Sequence, residues 1–226
     1  CLDLGEEQAR RVISSMPSGP FFAQEMLDPT PGLPDVVVKL KVECDGSTFR
    51  ADFTGSVAQV LAPINCVRSG PFAASFYSLL SALGATPFRN GGVVRCLDLV
   101  LPEASAVNAS MPAAVNARTG IVRAITSALL QAMAQAAPER MPAANSGMSY
   151  VLAFSGKRDD GRPFVSTEII AGGAGGGPNA DGESGISTDV GNAMNMPAEA
   201  LESLIPVRLV SAGFKNSGGA GRYRGG

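Results

Sequence analysis

EIIAGGAGGGPNADGESGISTDVGNAMNMPAE, residues 168–199, reads as a strand that ends at Ile170, followed by a loop dominated by glycine. Glycine loses more conformational entropy on folding than any other residue, so a run of this kind needs a reason. One reason is a substrate or anion site lined by bare backbone N–H and C=O groups; the other is a flexible surface linker. Asparagine and aspartate residues interleave with the glycines, which favours the site. The candidate site residues of this stretch are Glu168, Gly173, Gly175, Asp181 and Asn192.

Two β-hairpin patterns account for the predicted sheet. Residues 36–53 alternate apolar and polar side chains on both sides of an Asp-Gly pair at 45–46, and residues 148–170 do so around Asp-Gly at 160–161. Turns this short join antiparallel strands, because a parallel crossover needs a dozen or more residues. On the returning strand of the second hairpin, Glu168 shares a face with apolar residues. A carboxylate there is costly if buried unpaired, so it lies at the sheet margin or is functional.

Apolar residues at helical spacing predict four helices. They occur in residues 6–16, from a Gly-Pro pair at 70–71 to Gly84, within residues 113–137, and after Pro197. The second and third are apolar on most sides and are therefore expected in the core. Together these elements predict an α+β fold in which antiparallel hairpins and a mixed sheet pack against buried helices.

The remaining segments carry weaker signals. Residues 17–34, which include FFAQEMLD, predict a long non-helical connection rich in proline and glycine. VRCLDLVL at 94–101 and VRLV at 207–210 predict two further strands. Arg118 and Arg123 lie at the start of the third helix, where they either reach solvent, the more common arrangement, or bind an anion.

Composition excludes several classes of protein. The 226 residues are 45% hydrophobic, which indicates a substantial core, and 18 basic against 20 acidic residues give a formal net charge of -2. Without a basic face, nucleic acid is not an expected partner. No apolar run approaches the roughly 20 residues of a membrane span, and the first residues do not resemble a signal peptide. These observations predict a cytoplasmic protein with no membrane partner.

The absence of histidine restricts the available chemistry. It removes Ser-His-Asp and Cys-His arrangements, imidazole bases and the H-E-x-x-H metal site. The four cysteines form no C-x-x-C pair, so neither a zinc knuckle nor a dithiol redox motif is present. The sequence also lacks a phosphate-binding G-x-x-x-x-G-K-[ST] loop. We therefore expect no metal site in these residues and, if they catalyse a reaction, the use of carboxylates, backbone groups or thiols.

DFTGSVAQVLAPIN, residues 52–65, places polar side chains in an otherwise apolar segment. Such side chains either satisfy backbone groups in a turn, the more common role for any one of them, or face a ligand. We expect the glycine loop to approach this segment, so that glycine backbone and polar side chains border a common cleft. The candidate site residues here are Asp52, Thr54, Ser56, Gln59 and Asn65.

Six motifs occur in order: DFTGSVAQVLAPIN, LPEASAVNASMPAAVNAR, PAANSG, EIIAGGAGGGPNADGESG, GNAMNMPAEALE and NSGGAGRYRGG. Each alone is a weak signal, but together they resemble the hydantoinase B/5-oxoprolinase family, whose relatives include subunits of acetone and acetophenone carboxylases. The resemblance runs from about Pro17 to Gly226. It implies that residues 1–226 are part of a hydantoinase B-type domain, without the family's N-terminal metal-binding portion and its extreme C-terminus.

The resemblance implies ATP-dependent chemistry at a carbonyl group. In the family, a hydantoinase A-type ATPase subunit or domain phosphorylates the carbonyl oxygen or an equivalent acceptor, and the B part completes hydrolysis of a small cyclic amide. ATP with Mg²⁺ and a divalent metal are thus expected in the complete complex, with no cofactor in the residues present here. The candidate residues that match the family motifs are Asp52, Thr54, Ser56, Gln59, Asn65, Gly173, Gly175 and Asp181, and no catalytic step is assigned to any of them.

Three functional hypotheses follow from this resemblance. The first is the core of a B-type subunit of an ATP-dependent cyclic-amide hydrolase of the N-methylhydantoinase or 5-oxoprolinase type. The second is a subunit of an ATP-dependent ketone carboxylase. The third is a non-catalytic assembly module of such a complex, which the absence of histidine and of a nucleotide motif favours for these residues taken alone. In each case the protein is expected to be oligomeric, and the chain by itself is expected to be inactive.

Overall fold

The computed structural model describes residues 1–84, 88–147, 149–187, 189–193, 195–214 and 218–226. Met148 of the second predicted hairpin and Asn216 of the last motif lie outside these residues. The chain forms two compact units, Cys1–Pro142 and Ala143–Gly226. Each unit is described by itself below.

The first unit contains a four-stranded sheet. Its strands are β1 (Phe21–Met26), β2 (Val37–Asp45), β3 (Thr48–Asp52) and β4 (Leu97–Val100), in the order β1-β2-β3-β4. The first two pairings are antiparallel and the third is parallel, so the sheet is mixed, as predicted. The hairpin formed by β2 and β3 is confirmed.

Strand β1 corrects the prediction of a long connection between residues 17 and 34. Along β1, half-buried residues alternate with exposed ones, as expected for an edge strand with one covered face. The inward residues include Glu25, whose carboxylate accepts hydrogen bonds from Ser127 Oγ at 3.2 Å and from the Gln131 amide. Glu25 can therefore occupy an inward position, because side chains of a helix about 100 residues further along the chain donate hydrogen bonds to its carboxylate.

The described residues of the first unit also form helices α1 (Leu2–Ser14), α2 (Ser69–Leu83), α3 (Gly91–Val94) and α4 (Thr119–Ala136). α4 packs against β1 and β2 on one side and against α2 on another. The helices near residues 6–16 and 113–137 are thus confirmed with shifted ends. α2 ends before Gly84 as predicted, but its first turn begins at Ser69, one residue before the predicted Gly-Pro start.

Two further predictions for the first unit hold only in part. Arg118 is exposed, as the more common arrangement expects, whereas Arg123 does not reach solvent; it is only 5% exposed, because α4 is covered on more than one face. The strand predicted over residues 94–101 is confined to β4, because α3 and the turn after it occupy the residues up to Cys96.

The core of the first unit lies between the sheet and the helices. β2 and β3 contribute the alternate residues that the hairpin pattern predicts to be inward, and α4 contributes most of one helix surface. Because the side chains of successive strand residues point to opposite faces, the other face of the sheet keeps its polar residues. The largest fully buried side chains are Phe49, Phe53, Ile13, Leu79, Ile121, Ile125, Leu129 and Met133.

The second unit contains short elements. An antiparallel hairpin is formed by β5 (Tyr150–Lys157) and β6 (Pro163–Ile170), and a small antiparallel pair by β7 (Gly172–Gly173) and β8 (Ser184–Ile186). The second predicted hairpin is thus confirmed for the described residues. α5 (Ala198–Leu204) follows Pro197, also as predicted.

The prediction of a strand at residues 207–210 is wrong. These residues have no strand pairing in the described part of the chain. Instead, the Leu209 N–H donates to Glu202 Oε1 at 2.8 Å, so a side chain of α5 satisfies the backbone where a ladder would otherwise do so. Apolar alternation over four residues is too short to separate a strand from an irregular segment.

Candidate functional site

An open cleft of about 640 Å³ lies on the first unit, along the sheet face opposite the core. Strands β1 and β2 provide most of its lining, and the DFTGS segment contributes Asp52 and Thr54. The lining combines an exposed aromatic ring, two ammonium groups, two amides, a carboxylate and a hydroxyl. Its residues are Phe22, Ala23, Gln24, Lys39, Leu40, Lys41, Asp52, Thr54 and Gln131.

Asp52 is the carboxylate of this cleft. It is the last residue of β3 and lies opposite Lys41 in the β2–β3 register. Its Oδ1 accepts the Thr54 N–H at 2.9 Å, and its Oδ2 lies 3.9 Å from Lys41 Nζ. Partial burial by itself raises the pKa of Asp52, but the Thr54 hydrogen bonds and the nearby charges of Lys41 and Arg50 outweigh it and lower the pKa. Asp52 is therefore an ionised acceptor at neutral pH.

Two lysines on β2 bring positive charge to the cleft. Lys41 Nζ lies 3.1 Å from Glu43 Oε2 in addition to its contact with Asp52. Lys39 is exposed and forms no ion pair in the part of the chain that the structure describes. Neither lysine was selected from the sequence. Their alternation on the polar face of β2, across from Asp52, was the available signal.

Ser56 satisfies the backbone of β2 where β3 ends. Its Oγ accepts the Lys39 N–H at 3.0 Å and donates to the Lys39 C=O at 3.1 Å. The chain reaches this position through Gly55, whose φ of +88° is one that other residues rarely adopt. The side chain of Ser56 thus replaces a strand partner, which is the turn role considered for this residue.

Gln59 and Asn65 hold two loops together. Asn65 is fully buried; its Oδ1 accepts the Val60 N–H at 2.8 Å, and its Nδ2 donates to carbonyls that include Ala114 O at 3.1 Å. Gln59 Oε1 accepts the Ser110 N–H at 2.8 Å. These bonds connect the DFTGSVAQVLAPIN and LPEASAVNASMPAAVNAR motifs. Because Asn65 is enclosed and its amide is already engaged, its geometry is that of a structural residue.

Glycines of the loop in the second unit pack closely against other backbone. A Cβ atom on Gly175 would overlap the carbonyl of Ala143, and one on Gly173 would overlap the backbone of Gly226. Backbone bonds join the same segments: the Ala143 N–H donates to Gly176 O and the Gly226 N–H to Ala174 O, both at 2.9 Å. Neither Gly173 nor Gly175 has a positive φ, so the reason for glycine at these two positions is steric.

Three motifs meet in this packing. PAANSG supplies the carbonyl of Ala143 and the hydroxyl of Ser146, which accepts the Gly173 N–H at 3.3 Å. The final motif contributes Arg224, whose N–H donates to Asp181 Oδ1 at 2.7 Å. Asp181 thus holds a backbone segment in place. The glycines have no side chains, so neighbouring backbone segments can lie close together. Within this unit, the glycine run is explained by packing.

Glu168 and Asn192 have different surroundings. Glu168 lies opposite Leu152 in the hairpin, and its Oε1 is shielded from solvent with no hydrogen-bond partner among the described residues. Asn192 lines a hollow of about 390 Å³ together with Ser187 and Asn195. The common cleft expected between the glycine loop and the DFTGS segment stays a prediction.

The three buried cysteines are not activated. Burial raises the pKa of Cys44, and it raises the pKa of Cys66 to about 12. Burial likewise raises the pKa of Cys96, although the Arg10 charge opposes this shift. Cys1 is exposed. Because thiolates are the reactive form, these three buried thiols are poor nucleophiles.

The described residues do not fit a divalent metal. No three His, Cys, Asp or Glu side chains come close enough together there to hold an ion. We therefore assign no step to a metal held by these residues.

Among the helices in the described ranges, none has the length and apolar character that crossing a membrane requires.

Comparison with known proteins extends the motif resemblance to the whole chain. The family model for hydantoinase B/oxoprolinase matches residues 1–226. The chain belongs to this family. The match includes α1, which lies before the Pro17 limit of the resemblance seen in the motifs.

Among curated proteins, a relative from Pseudomonas sp. (strain NS671) is 30% identical to this chain over 238 residues. That relative is named as the B component of a D-/L-hydantoinase. That match covers 100% of this chain and 40% of the relative. The beta chain of caprolactamase from Pseudomonas jessenii is 28% identical over 233 residues, with 99% and 40% coverage. 5-Oxoprolinase 1 of Arabidopsis thaliana is 30% identical over 193 residues, with 84% and 14% coverage. The chain thus spans about 40% of the length of the bacterial relatives.

Two solved structures share the fold. The ATP-dependent caprolactamase from Pseudomonas jessenii superposes with a TM-score of 0.85 at 25% identity, over 100% of this chain and 40% of that one. The nucleotide-free structure of acetone carboxylase has a TM-score of 0.79 at 17% identity, over 97% of this chain and 32% of that one. At that identity the second comparison shows the fold alone.

Proposed function

We propose that this chain is part of the B-type subunit of an ATP-dependent cyclic-amide hydrolase. The observation that carries the proposal is the family match over residues 1–226. Relatives named as the B component of a hydantoinase and the beta chain of caprolactamase support a companion subunit, which we propose to be the A-type ATPase. That ATPase would activate the substrate carbonyl with ATP, and the B-type subunit would complete the ring opening.

The cleft on the first unit supplies groups that suit a cyclic amide. Such a ring presents a carbonyl acceptor and an N–H donor side by side. The Lys39 ammonium and the Thr54 hydroxyl are donors for the carbonyl oxygen, and the Asp52 carboxylate is an acceptor for the ring N–H. The exposed ring of Phe22 can cover the apolar part of the substrate. In this proposal the described residues bind and orient the amide.

The test measures ATP consumption by the complex of this chain's full subunit with its A-type partner. Hydantoins and 5-oxoproline are compared with simple ketones. Consumption coupled to ring opening supports the hydrolase, whereas consumption with ketones and bicarbonate supports the carboxylase. No substrate-dependent consumption with any of them contradicts both.

A pair of variants tests the cleft itself. Asp52→Asn removes the ionised acceptor, and we expect kcat/KM to fall by roughly tenfold or more, since hydrogen bonds to charged groups contribute about 1.5–3 kcal/mol. Asp98→Asn is the matched control, because Asp98 pairs with Arg50 at 2.7 Å and does not line the cleft. Equal activities of the two variants would contradict the role of Asp52 but not the family function.

The assembly-module hypothesis has its own measurement. Three buried, unreactive thiols and the lack of a metal-binding cluster in the described part of the chain support it. If it is correct, Asp52→Asn and Thr54→Val leave turnover unchanged in the assembled complex. We expect the 226-residue chain alone to show no ATPase or amidase activity, and amidase turnover by that chain would contradict this expectation.

A further inference from the structure

The sequence contains a single Asn-Gly pair, Asn90–Gly91, in the first unit. Such a pair can modify itself without an enzyme, because glycine has no side chain to hinder attack by its own backbone nitrogen on the asparagine amide. Gly91 is exposed, and its N–H has no acceptor among the described residues. A Cβ atom at this position would meet only Leu2 Cδ2, at 3.7 Å. The attacking nitrogen is therefore unhindered.

The reaction consumes water and releases ammonia. The Gly91 nitrogen attacks Cγ of Asn90 and gives up its proton, a C–N bond forms, and the Cγ–Nδ2 bond breaks as ammonia leaves. Water then opens the cyclic imide at either carbonyl, which leaves aspartate or isoaspartate at this position. For the attack, the asparagine side chain must turn toward the nitrogen of its own next peptide, and Nδ2 must be free to depart.

Both polar atoms of the Asn90 side chain are held in the folded chain. Oδ1 accepts the Gly92 N–H at 2.8 Å, and Nδ2 donates to the Cys1 C=O at 2.9 Å. The second bond anchors the leaving nitrogen to the start of α1. A Cβ on Gly5 would lie 2.4 Å from Asn90 Oδ1, so the first turn of α1, residues 2–6, also packs directly on this side chain. While the first turn is docked, the amide is therefore protected.

The first turn of α1 is held differently from the rest of the helix. Arg95 Nη1 lies 3.1 Å from Asp3 Oδ1 and 2.9 Å from Glu6 Oε2. Such partly exposed ion pairs contribute little to stability. Farther along α1, Ala9 and Ile13 are fully buried in the core. The first turn can thus open while the remainder of α1 stays packed, as helix ends commonly do.

We propose that Asn90–Gly91 is a self-modification site whose reaction is controlled by the first turn of α1. The pair is inert while the turn is docked, and it converts to aspartate or isoaspartate when the turn opens. Neither product donates to the Cys1 C=O, so two acceptors would face each other where the hydrogen bond was. The first turn already carries Asp3 and Glu6, and a further negative charge opposes its return. The modification thereby makes the opening permanent.

Incubation of the full subunit that contains this chain, at mildly alkaline pH, tests the proposal. Peptide mapping that separates asparagine, aspartate and isoaspartate follows position 90. Gly5→Ala places a methyl group against Asn90 Oδ1, yet alanine favours the helix, so the contact is disturbed without melting α1. We expect conversion about tenfold faster than in the parent, since two hydrogen bonds to the amide are weakened. Arg95→Gln removes both ion pairs and should give a rise of about threefold. Parental rates in both variants overturn the proposal.

Two controls belong to the same experiment. Gly91→Ala hinders the attacking nitrogen, and in combination with Gly5→Ala it should return the rate to the parental value or below. Asn145 is held by a similar pair of bonds, from the Gly147 N–H at 2.7 Å and to Asp189 Oδ1 at 2.8 Å, but a serine follows it. We expect no conversion of Asn145 in any variant. Conversion there at the same rate as at the Asn-Gly pair also overturns the proposal.

The permanence of the opening has its own measurement. The converted subunit carries one more carboxylate than the parent, so ion exchange separates the two. Gly5 reports on the first turn, because its N–H donates to the Cys1 C=O at 3.2 Å. Hydrogen exchange at Gly5 should be faster in the converted subunit, whereas exchange at Ile13 should stay at the parental rate. Parental exchange at Gly5 after conversion overturns the claim that the turn does not return.

Discussion

The two units of this chain are stabilised in different ways. In Cys1–Pro142, apolar side chains from a sheet and helices form one core. In the described part of Ala143–Gly226, only Leu201 and Ile205 are buried apolar side chains of any size, and glycine backbones pack directly against other backbone. A polar surface residue of the first unit can therefore be changed with little effect on stability, whereas a glycine of the second unit that packs against other backbone, such as Gly175, cannot. Glycine richness alone does not separate a ligand site from a packing site.

The largest expected effect tests the side-chain core. Phe49 is fully buried in β3, between β2 and β4. Phe49→Ala should lower the free energy of unfolding by about 4 kcal/mol, through lost apolar burial and the cavity left behind. Chemical denaturation measures the change. Phe22→Ala on the same sheet is the control, because Phe22 is 64% exposed and should change stability by about 0.5 kcal/mol or less. Similar losses for the two variants would show that this core is not the source of stability.

The second prediction tests backbone packing in the other unit. Gly175→Val introduces side-chain atoms where the carbonyl of Ala143 already lies. We expect a loss of about 3 kcal/mol, measured by thermal unfolding together with amide exchange of residues 143–147. Gly213→Ala is the control, since no atom lies within 4 Å of its added Cβ. A Gly175→Val chain that melts at the parental temperature would support a flexible linker.

A third prediction addresses a motif residue whose role can be misread. Asn65→Ala removes the amide that joins two loops and leaves the buried Val60 N–H without its acceptor. We expect a loss of about 2 kcal/mol by denaturation, with a smaller loss of about 1 kcal/mol for Gln59→Ala, whose partner is the Ser110 N–H. Unchanged stability combined with a loss of substrate binding would instead assign Asn65 to the ligand.

The hairpins could be predicted because their signals are local. Alternating apolar residues and Asp-Gly turns determine both pairings within about 20 residues, and the structure confirms them. β1 could not be predicted in the same way, since its inward Glu25 breaks the alternation and is satisfied by Ser127 and Gln131, about 100 residues away. Burial of Arg123 likewise depends on two elements packing around α4. These outcomes depend on tertiary contacts.

The candidate site was predictable only in part. Asp52 and Thr54 line the cleft, and their motif was the signal that selected them. Lys39 and Gln131 were missed. A lysine on the solvent-exposed face of a strand and a glutamine on a helix are ordinary surface residues, and only folding brings these two to one cleft. Asp181 and Gly175 were selected as ligand groups, yet their contacts are with backbone. Polar side chains next to glycines indicate exposed backbone N–H and C=O groups that need hydrogen-bond partners. Those partners can come from the same chain and need not come from a ligand.

The smallest expected effect returns to the cleft and depends on pH. Because the pKa of Asp52 is lower in the folded protein than its usual value, its contribution to stability is present above the unfolded pKa and is lost as the pH falls through the folded pKa. Asp52→Asn should therefore cost about 1 kcal/mol or less at neutral pH, as for a single exposed hydrogen bond and ion pair. The difference from the parent chain should shrink in acid, where the parental carboxyl becomes protonated. Denaturation of both chains at a series of pH values measures this, and a difference that stays constant or grows in acid would contradict the assigned cause. Since the expected loss of stability is small, a large fall in turnover of the same variant can be attributed to substrate binding and not to unfolding. This separation is possible because the stability of the first unit comes from its side-chain core. A glycine variant in the packed backbone of the second unit would change stability and activity together.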